Sequence, residues 1–360
     1  MTENNGRFLS TSIILLTLAL LYTAPVSAQT LHPEFFFEKN RVVASYALLE
    51  EEEEEEEEVE IDDSDDLDAV KDEVADWVYR VGDEWSKKVL GRSDLRNKKL
   101  KFVEVLRRTA KATAKVAKGT GFYLGQFNGF HLIATNYHVH IRLVTKPEDY
   151  KEIEFPFLDL SFNFGRTFGA WLEIDLALFA INVESKWDRK ILQSVARNFS
   201  FDYPITRNQK LLTVGFGRAK NHYSDMVGTW DSDCKVFSGD NEFKTKYGPD
   251  EKGKTVGTWA FAVGCDASDG DSGSPVVTRD TGDIIGLLWG VAPKTPIAQS
   301  SQSLDNMVKE NSPAIWKNLN YAVPAAKIKE FLLEKIKSGA ITDKVERKTI
   351  LAFLGVDSSS

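Results

Sequence analysis

The chain has 360 residues, 42% of them apolar, so it can bury a sizeable core and is not a wholly disordered protein. Its formal net charge is −9, yet residues 50–73 alone hold 17 acidic side chains and one basic one. The rest of the chain is therefore net basic, so the acidic net charge comes from this one segment. The acidic run itself should be disordered, because like charges repel one another.

The first residues have the pattern of a secretory signal. Arg7 precedes an apolar run from Ile13 to Tyr22, and Val26-Ser27-Ala28 forms a small-residue cleavage site. An uncleaved anchor is the alternative, but the run is shorter than the roughly 20 apolar residues of a membrane span. We predict a signal peptide over residues 1–28, a secreted or periplasmic protein, and no membrane contact after cleavage.

Residues 29–99 are interpreted as a pro-region or N-terminal extension. Apolar side chains recur at spacings of three and four from Leu67 to Val89, which predicts one amphipathic helix. The acidic segment is expected to bind the basic body of its own chain, or, alternatively, only to keep the chain soluble or to bind calcium loosely. The basic stretch from Arg96 to Lys115 could bind nucleic acid, but we prefer an exposed, cleavable linker and predict no nucleic-acid partner.

Short apolar or alternating runs broken by glycine begin at "GTGFYLG", which starts at Gly119. Examples are "HLIATNYHV", "WLEIDLALFAI", "KLLTVGFG" and "DIIGLLWG". Many short strands at this spacing predict an all-β barrel or sandwich. Pro324 and Gly339 bracket a closing helix, with proline at the first turn and glycine beyond the last.

The chain has two cysteines, Cys234 and Cys265, which are 31 residues apart. In a secreted protein we expect them to form a disulfide, and two buried free thiols are the alternative. The sequence has no His-Glu-x-x-His pattern and too few cysteines for a zinc cluster. No metal and no cofactor are therefore expected.

The stretch "GDSGSP", Gly270 to Pro275, offers Ser272 either as a turn residue or as a nucleophile. A nucleophilic serine needs a histidine base and a carboxylate that orients the base. "ATNYHV" supplies His138, and "EIDLALFAI" supplies Asp175 at the head of an apolar strand. The order His138, Asp175, Ser272 is one of three known orders of a Ser-His-Asp triad.

Taken together, "TNYHV", "DLALF" and "GDSGSP" resemble the three signatures of chymotrypsin-fold (trypsin-like) serine endopeptidases. The first is closest to the bacterial branch that includes the glutamyl endopeptidases. The resemblance covers roughly residues 100–338 and leaves residues 339–360 as a C-terminal tail. It implies two six-stranded antiparallel Greek-key barrels with a C-terminal helix, here preceded by an acidic and helical extension.

The resemblance also implies the chemistry. His138 would act as general base, Asp175 would fix its tautomer, and Ser272 would attack a peptide carbonyl. The N–H groups of Gly270 and Ser272 would form the oxyanion hole, and the partners would be protein or peptide substrates. A secreted protease-fold protein that only binds partners, without turnover, is the alternative.

Three further residues are candidates for substrate binding. Trp289 and Gly290 belong to the strand "GLLWG", which resembles the strand that pairs with substrate backbone. Asp266 lies six residues before Ser272, as does the pocket acid of trypsin-like enzymes, although its sequence context favours a structural role. Leu288 stands where glutamyl endopeptidases carry a histidine, which disfavours cleavage after glutamate.

Finally, we expect the protein to be made latent, because a segment with 17 acidic side chains and one basic one precedes a net basic body. In chymotrypsin-like zymogens the acid before the serine, here Asp271, pairs with a newly freed amino terminus. We expect the extension to be removed near residue 100, with Leu100 as the new terminus.

Overall fold

The computed structural model describes residues 78–79, 87–150, 152–217, 225–238, 243–249, 255–290, 301–310 and 319–357. The predicted signal peptide and the acidic run lie outside these residues. Among the helices that are described, none is long and apolar enough to cross a membrane.

Six antiparallel strands close into a first barrel, in the order β3-β4-β5-β8-β7-β6. They are β3 (Thr113–Val116), β4 (Gly119–Phe127), β5 (Phe130–Thr135), β6 (Glu152–Phe155), β7 (Leu160–Trp171) and β8 (Leu176–Ile181). All six residues of β8 are buried, as expected for a short, continuously apolar strand between two neighbours. The pairing of Thr135 with Ala177 sets the ends of β5 and β8 side by side.

The second lobe is an eight-stranded antiparallel sheet with the order β11-β12-β16-β15-β14-β9-β10-β2. Its strands are β2 (Lys88–Val89), β9 (Leu211–Gly215), β10 (Val227–Thr229), β11 (Phe243–Pro249), β12 (Thr255–Val263), β14 (Pro275–Thr278), β15 (Ile284–Gly290) and β16 (Asn320–Pro324). A separate two-stranded sheet joins β1 (Val78–Tyr79) to β13 (Ala267–Ser268). The chymotrypsin-like fold is thus confirmed, with eight strands rather than six in the second sheet.

Few helices accompany the strands. They are α1 (Val103–Ala112), α2 (Tyr137–Thr145), α3 (Pro147–Tyr150), α4 (Lys186–Val195), α5 (Ser301–Lys309), α6 (Ala325–Lys337) and α7 (Lys344–Phe353). The predicted closing helix is α6, and Gly339 beyond it has a φ of 74°, which glycine adopts without steric cost. The C-terminal residues also fold, since α7 buries Ile350 and Phe353 in the largest core cluster.

The amphipathic helix predicted from Leu67 to Val89 is wrong where the chain is described. Val78–Tyr79 and Lys88–Val89 are strands, paired with β13 and β10 respectively. Valine is β-branched and packs well on a sheet, so an available strand partner overrides the helical spacing. The remainder of that predicted helix lies outside the described residues.

Candidate active site

His138 lies at the start of α2, directly after β5. Asn136 is the N-cap of this helix and is fully buried, and its side-chain N–H donates to the carbonyl oxygen of Asp175 at 2.9 Å. Its side chain makes no capping hydrogen bond to α2 and contacts Asp175 instead. The His138 side chain is 20% exposed, so one edge of the imidazole remains accessible.

Asp175 faces His138 from the neighbouring strand end. It follows a 3₁₀ turn, Leu172–Ile174, and has a φ of 40°, a left-handed conformation that aspartate tolerates better than most residues. Its carboxylate is fully buried and accepts two hydrogen bonds from His138, one from the backbone N–H at 3.1 Å and one from Nδ1 at 2.9 Å. Because Nδ1 carries the proton, Nε2 is the nitrogen that can accept one.

The loop of Ser272 consists of two consecutive tight turns. The Asp271 N–H donates to the Ser268 carbonyl at 3.1 Å, and the Ser274 N–H donates to the Asp271 carbonyl at 2.9 Å. Gly270 and Gly273 occupy the third position of each turn with φ values of 92° and 90°, which side-chain-bearing residues rarely adopt. A Cβ on Gly273 would also lie 1.9 Å from the Thr120 carbonyl oxygen, so glycine is required there.

Thr120 on β4 fastens this loop to the first barrel. Its N–H donates to the Ser272 carbonyl at 2.9 Å, and its hydroxyl donates to the Gly270 carbonyl at 2.7 Å. The same hydroxyl accepts the Phe216 N–H at 2.9 Å, and Thr120 is fully buried. One side chain therefore links β4, the end of β9 and the serine loop.

Gly119, beside Thr120, lies close to both Val139 and the Ser272 backbone. A Cβ on Gly119 would lie 2.7 Å from a methyl group of Val139 and 3.3 Å from the Ser272 carbonyl oxygen. A side chain at position 119 would therefore clash with Val139 and crowd the backbone of Ser272. The Ser272 backbone thus lies near Val139, the residue that follows His138, and a triad that includes the Ser272 hydroxyl stays a prediction.

The Gly270 and Ser272 N–H groups were predicted to bind an oxyanion. Among the residues that the structure describes, neither of these N–H groups donates to another protein acceptor, whereas the Gly273 N–H is taken by the Leu288 carbonyl at 2.9 Å. A substrate carbonyl that reached both donors would have its developing negative charge stabilised by them.

Asp271 points away from solvent into a buried polar cluster. Its carboxylate accepts the N–H of Gly217 at 3.1 Å and the N–H of Ser268 at 2.8 Å, and it forms an ion pair with Lys87. The expected pairing of this acid with an amino terminus freed at Leu100 stays a prediction, because the chain is uncut. In the structure the Leu100 N–H donates to the Asn97 carbonyl at 3.0 Å.

The predicted substrate-binding residues have different surroundings. Asp266 is buried with 1% of its surface exposed, and Thr229 donates to its backbone carbonyl at 3.3 Å. Trp289 is half-buried and stacks on Tyr321, with ring centroids 5.9 Å apart, and Gly290 pairs with Tyr321 at the end of β15.

Cys234 and Cys265 form a disulfide, and the Cys265 carbonyl accepts the side-chain N–H of the buried Asn320 at 2.6 Å. Cys265 precedes β13, so these bonds tie the strand leading to the serine loop to the second sheet. Within the described residues, no group of three or more His, Cys, Asp or Glu side chains is arranged to hold a metal ion.

Two other histidines on the first barrel are buried. His140 Nε2 lies 2.8 Å from the Thr167 hydroxyl, and burial lowers the pKa of His140 to about 4. Burial, with a smaller effect of Arg189, also lowers the pKa of His131, whose Nδ1 lies 2.8 Å from the Tyr123 hydroxyl. A cavity of about 420 Å³ lies beside His131 at the opposite ends of β5 and β8 from the triad.

Sequence analysis missed three residues that organise the site: Lys87, Thr120 and Asn136. Their partners are 184, 150 and 39 residues away in the chain, so no local spacing points to them. The glycines on both sides of Thr120 were the available signal, since they indicate close backbone approach.

Comparison with known proteins agrees with this fold. Residues 119–287 match the family model described as the trypsin-like peptidase domain. No curated protein matches the sequence.

Several solved protease structures are similar at low identity. The active form of the Rv3671c protease from M. tuberculosis is 16% identical, with a TM-score of 0.42 over 70% of this chain and 93% of that one. An inactive form of the same protease is 15% identical, with a TM-score of 0.43 over 69% and 97%. An HtrA-type protease, AlgW, with a tripeptide is 14% identical, with a TM-score of 0.40 over 65% and 63%.

Proposed function

We propose that the chain is a secreted serine endopeptidase that hydrolyses peptide bonds in protein or peptide substrates through an acyl-enzyme intermediate. The observation that carries the proposal is the buried Asp175 carboxylate holding His138 by two hydrogen bonds, next to the turn of Ser272. The trypsin-like peptidase match over residues 119–287 supports it. A protein that only binds partners has no need of this arrangement.

The roles follow from the chemistry of each group. His138 Nε2 takes the proton of the Ser272 hydroxyl as its oxygen attacks the substrate carbonyl carbon. The protonated histidine, stabilised by Asp175, then gives that proton to the leaving amine. His138 next takes a proton from water as the water oxygen attacks the acyl-enzyme ester, and it gives that proton to the Ser272 oxygen as the ester bond breaks. The Gly270 and Ser272 N–H groups donate to the oxyanion in both steps.

The peptidase domain extends beyond the 100–338 range in this proposal. Strand β2 pairs with β10 and α7 packs on the largest core cluster, which supports including residues 87–99 and 340–357. A signal peptide over residues 1–28 and an acidic segment that binds the body remain part of the proposal. N-terminal sequencing of the exported protein should give a chain that begins at Gln29 or later.

Specificity is proposed to exclude glutamate. Leu288 is buried and apolar, so it offers no hydrogen bond to a substrate carboxylate. The burial of Asp266 supports a structural role for that acid rather than selection of basic residues. Assignment to the glutamyl-endopeptidase branch rests on "TNYHV" alone.

The test is labelling with a fluorophosphonate probe together with hydrolysis of a peptide library. Wild-type protein should label and turn over, whereas Ser272→Ala and His138→Ala should lose at least about 10³-fold in kcat and remain folded. Ser161→Ala, an exposed serine on β7, is the matched control and should behave as wild type. Full hydrolysis by Ser272→Ala would refute the triad, and an unlabelled but folded wild-type chain would favour the binding protein.

A further inference from the structure

The cation on Asp271 comes from the N-terminal extension. Lys87 Nζ contacts the Asp271 carboxylate and donates to the Ser268 hydroxyl at 2.6 Å, and its side chain is 1% exposed. A buried ammonium and a buried carboxylate each need the other, because removing either leaves a charge that water cannot reach. We propose that Lys87 is a positioning residue that holds the Ser272 loop in its working shape, so that no cleavage at residue 100 is needed for activity.

The backbone on both sides of Lys87 is built into the folded body. Immediately after it, β2 pairs with β10, and the Leu90 N–H donates to the Met226 carbonyl at 2.9 Å. Earlier in the chain, β1 pairs with β13, the strand that leads into the serine loop. Two strand pairings therefore flank the ion pair.

The ion pair acts on the proposed oxyanion donors through the backbone of the serine loop. The Asp271 carboxylate also accepts the N–H groups of Gly217 and Ser268, so it fixes the backbone of the first turn. Asp271 lies between Gly270 and Ser272, whose N–H groups are the proposed oxyanion donors. Without its cation, the Asp271 carboxylate would be more stable in contact with water. If the backbone rotated to expose it, the Gly270 and Ser272 N–H groups would no longer point at the oxyanion.

This arrangement reverses the effect expected of cleavage before Leu100. A new amino terminus there would find Asp271 already paired. The cut would also disconnect Lys87 from the chain that carries Asp271. Loss of residues before Leu100 should therefore reduce activity rather than release it.

The inference rests on the proposed peptidase function, so its test includes a readout that does not need turnover. Lys87→Met removes the charge and keeps the length of the side chain, and Lys87→Arg keeps the charge. Lys88→Met is the matched control, because Lys88 is adjacent, its side chain is 53% exposed and it pairs with Asp94 near the surface. For each variant we would measure kcat, KM and hydrogen exchange of peptides that span Gly270–Ser274.

Lys87→Met should lower kcat by about 10²-fold with a smaller change in KM, the size expected when oxyanion donors are misplaced. Its loop amides should exchange faster, and Lys87→Arg should recover part of both losses. Unchanged kcat and exchange in folded Lys87→Met would overturn the inference while leaving the peptidase function intact. If the loop amides of Lys87→Met exchange faster but the wild type is not labelled by the fluorophosphonate probe, the result would contradict the proposed peptidase function and leave the role of Lys87 intact.

Should Lys87→Met not fold, a second variant decides the matter. Lys98→Gln/Lys99→Gln removes the basic residues at the expected junction and leaves Lys87 in place. This uncut chain should be as active as wild type. Inactivity of the uncut chain, recovered by a cut introduced at residue 100, would overturn the inference.

Discussion

At the scale of single residues, the Thr120 hydroxyl makes two hydrogen bonds that hold the serine loop in place. It joins the Gly270 carbonyl and the Phe216 N–H, and both groups lie in the buried contact between the first barrel and the serine loop. Replacing it removes two hydrogen bonds at once and changes the side-chain volume very little.

We expect Thr120→Val to lower the free energy of unfolding by about 1–3 kcal/mol, because buried polar groups lose their partners. It should also reduce kcat more than it changes KM, since the serine loop loses a fixed point. Urea unfolding and peptide kinetics measure the two effects. Thr145→Val, which removes a hydroxyl bonded only within α2, should change stability by less than about 0.5 kcal/mol. Equal effects of the two substitutions would contradict the role of Thr120.

His140 makes stability depend on pH. Burial lowers its folded pKa from 6.5 to about 4, so between these values the unfolded chain binds a proton that the folded chain does not. The contribution of neutral His140 to the free energy of unfolding is fully present above pH 6.5 and is lost as the pH falls towards 4. Between pH 7.5 and 4.5 wild type should lose about 2.5 kcal/mol more than His140→Gln in urea unfolding. Identical losses in the two proteins would show that His140 does not titrate in this way.

At the scale of elements, the C-terminal helix α7 is part of the fold rather than a tail. Phe353 is fully buried and its ring lies 5.8 Å from that of Phe127, 6.2 Å from Phe199 and 5.4 Å from Phe201. The helix thereby covers aromatic side chains that belong to the first barrel and to the segment after α4.

Phe353→Ala should therefore cost about 3–5 kcal/mol of unfolding free energy, from lost burial and the cavity that remains. Val345→Ala, on the same helix but 40% exposed, is the control and should cost less than about 1 kcal/mol. Thermal or urea unfolding compares them. A small effect of Phe353→Ala would mean that α7 does not contribute to the core.

Local sequence patterns correctly predicted elements that their own residues indicate, such as β8 and α6. "DLALFAI" became β8 because a continuous apolar run suits a strand buried on both faces, and Pro324 and Gly339 set the limits of α6. The segment before Leu90 was mispredicted because its apolar spacing fits a helix, while its strand partners, β10 and β13, are far away in sequence. Periodicity carries no information about such a partner.

At the scale of the whole molecule, each lobe supplies part of the candidate site. His138 and Asp175 lie beside strand ends of the first barrel, and Ser272 lies in the loop between β13 and β14 of the second lobe. Their order in the sequence predicts that these three residues act together, and the hydrogen bonds between His138 and Asp175 agree with that prediction. The Thr120 hydroxyl joins the two lobes, and the Lys87–Asp271 ion pair joins the N-terminal extension to the second lobe. Local spacing predicts neither contact, because the partners are 150 and 184 residues apart.

The disulfide also stabilises the second lobe by joining residues that are distant in the sequence. Cys234 and Cys265 are 31 residues apart, and a closed loop of that size is worth about 3–4 kcal/mol on the chain-entropy account. Cys234→Ala/Cys265→Ala should lose that amount in urea unfolding. Reductant should lower the unfolding midpoint of wild type and leave that of the double variant unchanged, and the opposite pattern would exclude a stabilising bond.

The position of Ser272 has a consequence during synthesis. A ribosome makes His138 and Asp175 early, whereas the serine lies in the last quarter of the chain. The second sheet also needs β16, which pairs with both β12 and β15 and is made later still. A peptidase of the proposed kind is therefore harmless to its own nascent chain, and to the cell that makes it, until translation is almost finished.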